Sequence, residues 1–221
     1  MMKKKFFTTI LWPVTVVASK LIKLSVSSSF GLLKLSGIMV TVPLMGALYS
    51  LPQTFGFLIV LLGVKHIFFA FPLTLGLPTI AATLSWSCHT EHHNRVWKLF
   101  DTFLHVMLPL VCFIIFATHP VGHQAWWYGC YWLIPCIIWL LNTQSTFARA
   151  LQSTFIAHAL GSIIWLFAGI LSAEQWVALI PIVAIERLAL ALASCGLYYV
   201  LAQAYSKVNS IARTSRISIR N

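Results

Sequence analysis

The sequence predicts an all-α membrane protein: a polytopic bundle of about six transmembrane helices, preceded by an amphipathic helix lying at the membrane interface. Three observations predict it. Of 221 residues, 59% are hydrophobic and the mean hydropathy is +0.87. Only 9% are charged, against about 25% in an ordinary soluble domain, too few to cover a water-facing surface. The apolar residues fall in runs near the ~20 residues that one crossing needs, separated by short polar breaks.

The charges are lopsided, 15 Lys and Arg against 4 Asp and Glu. The basic residues gather at the two ends: Lys3, Lys4, Lys5, Lys20, Lys23 and Lys34 at the start, Lys207, Arg213, Arg216 and Arg220 at the finish. That distribution is the positive-inside pattern of a chain whose partner is the lipid bilayer, with anionic headgroups near both ends. It is not the basic face of a nucleic-acid binder. The cysteines (Cys88, Cys112, Cys130, Cys136, Cys195) have no CxxC spacing and mostly sit in apolar runs, so neither a disulfide framework nor a zinc site is read from them.

Residues 1–29 form a basic N-terminal segment. Its apolar stretch from Phe6 to Ala18 behind Lys3–Lys5 fits either a cleaved leader or an interfacial helix. The interfacial helix is the expectation, because lysines continue past the possible cut and Pro13 interrupts the run. Residues 30–204 form the transmembrane domain, and 205–221 a polar, basic tail expected to be mobile and cytoplasmic.

Within the transmembrane domain the first span runs from Leu32 to Tyr49, and the second from Thr54 to about Pro72. Apolar sequence continues to Trp86, ~50 Å as one helix and too long for one crossing, so Pro72, Gly76 and Pro78 should break it. The piece from Leu77 to Trp86 is then a tilted extension or a re-entrant segment. A polar loop covers Ser87 to Asp101. Spans three to six follow at Thr102–Ala117, Trp126–Leu141, Arg149–Leu171 and Trp176–Ala202. Trp126, Trp127 and Tyr128 open the fourth as an interface belt. Both basic ends on the cytoplasmic face require an even number of spans. The loops at Pro52, Pro120 and Glu174, which carry no Lys or Arg, then fall on the opposite face.

Two constellations could carry chemistry. Lys65 and His66 lie near the middle of span two, His158 of span five, and Glu186 and Arg187 of span six. Charged groups at such depth face the bundle interior and pair with one another. Glu186 pairs with Lys65 or Arg187, and His66 or His158 stands nearby. The alternatives are a structural clamp, a solute or proton path, or a haem held by His66 and His158. The second constellation is Cys88-His89-Thr90-Glu91-His92-His93, with His105 nearby. Its His-x-x-His-His resembles one histidine box of membrane-bound fatty-acid desaturases and hydroxylases. That resemblance covers five residues and implies iron bound at His89, His92, His93 and His105. No His-x-x-x-His box precedes it and no second His-x-x-His-His follows; His119 and His123 have box spacing but lie in the loop expected on the opposite face. The other reading is a polar juxtamembrane loop without metal.

Small residues four apart, Ala157 with Gly161 and Ala189 with Ala193, suggest close approach of spans five and six. So few carboxylates leave little for acid–base catalysis. The functional expectation is therefore a non-catalytic subunit of an inner-membrane transport or secretion assembly, partnered by other membrane subunits and without a resident cofactor. A stand-alone transporter using the midplane charges, and a metal or haem oxidoreductase, are the alternatives.

Overall fold

The computed structural model describes residues 23–28, 31–48, 53–56, 58–60, 63, 76–88 and 95–218. These are mostly helical, with one hairpin and short connecting turns. β1 (Lys23–Ser28) pairs antiparallel with β2 (Gly31–Ser36), Lys23 opposite Ser36 and Ser28 opposite Gly31. Then come α1 (Gly37–Thr41), α2 (Met45–Leu48), α3 (Leu77–Cys88), α4 (Arg95–Thr118) and α5 (Pro120–Gln124). A 3₁₀ stretch, Trp126–Trp132, leads into α6 (Leu133–Leu140), followed by α7 (Thr146–Phe167) and α8 (Ala173–Ser218).

Among the described residues three helices are long and apolar enough to cross a membrane: α4, α7, and the Ala173–Ala204 part of α8. Exposed Val111, Ile114, Ile185, Leu188 and Leu192 on α4 and α8 fit a lipid solvent better than water. Contacts fix their mutual direction. Trp139 meets Asp101 and Tyr199 meets Thr146 at one end of the bundle; His119 meets Phe167 at the other. Successive helices therefore run antiparallel. Arg95, Lys98 and Arg149 gather at the first end, and the segments 119–125 and 168–172 at the second contain no Lys or Arg.

Several expected boundaries move. The first span is not one helix: Leu32–Ser36 belongs to β2, and the turn holding Pro43 separates α1 from α2. Proline lacks the N–H that a helix interior needs and clashes with the preceding turn. The expected interfacial helix lies mostly outside the described residues; Lys23–Ser28, at its end, is strand. Most of span two also lies outside them. The loop expected to reach Asp101 ends sooner, because α4 starts at Arg95. Val96, Leu99, Phe100 and Phe103 already follow helical spacing, while Arg95, Lys98 and Asp101 make the stretch look like a loop by polarity alone. Span four is a 3₁₀ segment joined to a short α-helix, together ~26 Å long. The tail past Lys207 continues α8 to Ser218, since no Gly or Pro follows Gly196 to end the helix. At 46 residues α8 extends ~69 Å, more than twice the ~30 Å hydrocarbon core.

α3 lies at the centre. Every residue from Ala81 to Cys88 is buried, although Thr83, Ser85 and Ser87 are polar. Their hydroxyls are all engaged: Thr83 donates to Thr79 O at 2.7 Å, Ser87 donates to Thr83 O at 3.3 Å, and Ser85 bonds to His105. Ser153 of α7 donates to Ala82 O at 3.0 Å and ties the two helices. Gly46 lets α2 approach so closely that an added Cβ would overlap the Thr83 carbonyl oxygen. In lipid, such backbone approach is a main source of helix association. With 12 residues α3 spans ~18 Å, half a membrane. Cys88 packs toward the basic end, in one cluster with Leu104 and Trp97, so Leu77 and Pro78 lie near mid-depth.

Chain reversals use suitable residues. Asn142 (φ 49°) turns the chain into α7, whose first turn is capped by Ser145 accepting from Ala148 N at 3.1 Å. Gly169 (φ 65°) ends α7 in the left-handed region that glycine adopts freely.

A midplane cavity and a buried serine–histidine–aspartate chain

Between α7 and α8, closed from the side by the start of α3 and by Tyr128, lies a cavity of 680 Å³. Its polar wall is Thr79, Tyr128, Ser153, Thr154, His158 and Ser162, with Glu186 and Arg187. His158 stands 12 residues into α7 and Glu186 13 residues into α8, roughly 18–20 Å from the helix starts. Both are near mid-membrane depth for helices of this length.

Arg187 Nη2 donates to Glu186 Oε2 at 2.6 Å, with side chains only 11% and 17% exposed. Adjacent residues on a helix do not usually face one another. Here both long side chains bend into one cavity, and their charges cancel there. Arg187 Nη1 adds a long bond to Thr154 O, 3.5 Å. Pro181 interrupts the α8 ladder shortly before this pair, and the Tyr131 hydroxyl donates to the carbonyl of Ile180 at 3.0 Å.

The aromatic wall comes from a cluster in which Phe116, Tyr128, Trp132 and Trp176 pack edge to face or tilted, centroids 4.8–6.1 Å apart. His158 joins it, 5.3 Å from Tyr128. Tyr128 OH bonds to Ser162 Oγ at 3.3 Å. Several polar atoms of this neighbourhood are buried without a hydrogen-bond partner: His158 Nε2, Trp132 Nε1, Trp176 Nε1 and Arg187 Nε. Buried polar groups are nearly always satisfied, and each orphan costs about 1–3 kcal/mol.

A second polar assembly lies nearer the basic end. His105 Nδ1 is 3.0 Å from Asp101 Oδ1 and 3.0 Å from Asp101 O, both acceptors, so Nδ1 is assigned the proton. Nε2 then accepts from the Ser85 hydroxyl at 2.8 Å. Trp139 Nε1 donates to Asp101 Oδ2 at 2.8 Å. His105 falls in the π-turn Phe103–Met107 of α4. The order of residues is that of a Ser–His–Asp relay, but the Nδ1 hydrogen bond goes to the Asp101 backbone carbonyl, and Ser85 is fully buried and lines neither of the two cavities described here. The chain therefore acts as a clamp joining α3, α4 and α6. A smaller cavity of 510 Å³ lies beside it, lined by Lys98, Asp101, Trp139, Gln144 and Gln152. Gln152 and Ser153, neighbours on α7, thus border different cavities.

The other sequence candidates distribute as follows. Glu186 and Arg187 pair and His158 lines the same cavity; Lys65 and His66 lie outside the described residues. So do His89, His92 and His93, and His105 engages both ring nitrogens with Ser85 and Asp101. His119 caps α5 by accepting from Val121 N at 3.3 Å. Ala157 and Gly161 line the cavity, and a Cβ on Gly161 would meet Pro78 Cγ of α3 at 3.7 Å. Ala189 is half-buried and Ala193 exposed, while Val183, Leu190, Ala191 and Ser194 form the buried face of α8. Of the expected belt, Trp126 and Trp127 are exposed and stacked, but Tyr128 turns inward. Sequence reasoning missed Tyr128, Ser162 and Trp176. Their signal was weak: an aromatic after a loop reads as an interface residue unless the 3₁₀ twist of Trp126–Trp132 is known. No family model, curated protein or solved structure matches the chain.

Proposed function

We propose that the protein is a multi-pass solute-transport component of the inner (plasma) membrane, its basic end cytoplasmic, and that the midplane cavity between α7 and α8 is its solute site. The observation that carries this reading is the cavity itself: 680 Å³, in the size range of small-molecule sites, and lined at mid-depth by His158 and the Glu186–Arg187 ion pair. Orientation rests on the Lys- and Arg-free segments 119–125 and 168–172 facing away from Arg95, Lys98 and Arg149. The start of α3 contributes Pro78 and Thr79 to the cavity wall.

The test is extraction of bound small molecules from gently purified protein, followed by mass spectrometry. The native chain should yield one solute in near-stoichiometric amount. Ala157→Phe, which pushes a ring into the cavity, should yield none. Equal contents in the two preparations would overturn the reading. Co-purifying membrane proteins in the same sample would identify the assembly it serves.

A further inference from the structure

The smaller cavity, 510 Å³ at the basic end, has the depth and chemistry of a lipid headgroup site. Lys98 lines it from α4, and Asn142, Thr143 and Gln144 line it from the turn between α6 and α7. All four are exposed, so their polar groups are open to a ligand. Lys98 lies one turn inside α4, ~4.5 Å from the helix start. A helix of 24 residues spans ~36 Å against a hydrocarbon core of ~30 Å, which places Lys98 at the boundary between acyl chains and headgroups.

The turn is held by a string of side chains. Arg149 Nη2 donates to Gln144 Oε1 at 2.9 Å, and Gln144 Nε2 donates to Asn142 Oδ1 at 2.8 Å. The string brings a second positive charge to the cavity rim. The carboxylate in the wall, Asp101, is turned inward: its side chain is 18% exposed, and Oδ2 accepts from Trp139 Nε1 at 2.8 Å. The accessible charge is therefore positive. Beside this polar rim the wall is aliphatic, with Ile138 and Leu140. Ile137, Leu140 and Leu141 continue it outward at the end of α6, and all three are more than half exposed. A free phosphate ester would use the polar rim alone; a phospholipid uses both surfaces.

We propose that this cavity binds an anionic phospholipid, its phosphodiester against Lys98 and the Asn142–Gln144 turn and its acyl chains along Ile137, Leu140 and Leu141. A zwitterionic lipid is disfavoured, because its ammonium group meets Lys98 and Arg149 rather than an accessible carboxylate. The site is separate from the midplane cavity and does not depend on what that cavity holds.

The experiment uses the full chain, delipidated in mild detergent, and native mass spectrometry with phosphatidylglycerol or phosphatidylethanolamine carrying identical oleoyl chains. Phosphatidylglycerol should be retained at least about 5-fold more tightly. Lys98→Gln should weaken it about 5-fold, the effect of one basic residue at the membrane surface. Arg95→Gln removes the same charge from the same end of α4 but outside the cavity, and should change binding less than about two-fold. Thr143→Trp fills the cavity mouth at unchanged charge and should weaken binding at least about ten-fold. Both altered cavity positions are exposed, and circular dichroism checks the fold; should Thr143→Trp not fold, the Lys98 and Arg95 variants decide. Equal retention of the two lipids, equal losses in the Lys98 and Arg95 variants, or full binding by folded Thr143→Trp overturns the proposal. Glycerophosphoglycerol, the same headgroup without chains, should not displace the lipid at equal concentration. Displacement would assign the cavity to a soluble phosphodiester and overturn the lipid.

Discussion

Replacing Glu186 with Leu should be among the most damaging single changes in α8, and the reason is asymmetric. Glu186 Oε2 sits 2.6 Å from Arg187 Nη2, with both side chains more than four-fifths buried. Removing the carboxylate leaves a guanidinium whose other contacts are a 3.5 Å bond to Thr154 O and an Nε with no partner. Guanidinium does not shed its proton, so the charge stays. Breaking a buried pair from one side costs about 3–5 kcal/mol. Arg187→Leu should cost less, about 1–3 kcal/mol, because an abandoned carboxyl group can take up a proton and remain as a neutral group. The double variant Glu186→Leu with Arg187→Leu removes both charges and should lose less stability than Glu186→Leu alone. The assay is reversible unfolding of the four proteins in mixed micelles, read as a double-mutant cycle. Additive losses, with the double variant the least stable, would refute the argument that the two charges form one buried unit.

Other substitutions test the framework. Gly46→Ala forces a methyl group into the Thr83 carbonyl and should cost about 1–3 kcal/mol by overpacking, measured in the same unfolding assay. Ser85→Ala leaves His105 Nε2 buried without its 2.8 Å partner; the expected loss is about 1–3 kcal/mol, with solute content per folded chain unchanged because Ser85 lies outside the cavity. Phe116→Ala removes the ring touching Tyr128, Trp132 and Trp176 and should cost about 3–5 kcal/mol together with the bound solute, since two of those neighbours line the cavity.

Much of this was legible in the sequence because lipid imposes simple rules. Long apolar runs marked α4, α7 and α8, and the breaks at Thr118–Gln124, Asn142–Thr146 and Ser172–Gln175 marked their connections. Depth alone brought His158, Glu186 and Arg187 together. Polarity misled at Arg95, where charges sit on a helix that has already begun, and beyond Lys207, where a polar stretch contains nothing to stop α8. The Ser85–His105–Asp101 chain was beyond reach, because it depends on α3 folding to the centre of the bundle and on the π-turn at His105. The small-residue pattern did not mark the tight approach, which is at Gly46 against Thr83; Ala157 and Gly161 line the cavity and Ala193 is exposed.

The measurement that tests the central claim most directly is an electron cryomicroscopy map of the protein in a lipid nanodisc, purified without harsh detergent. The account predicts compact non-protein density between α7 and α8, lying along Tyr128 and beside the Glu186–Arg187 pair. Side chains filling that space, or only acyl-chain density continuous with the surrounding lipid, would contradict it.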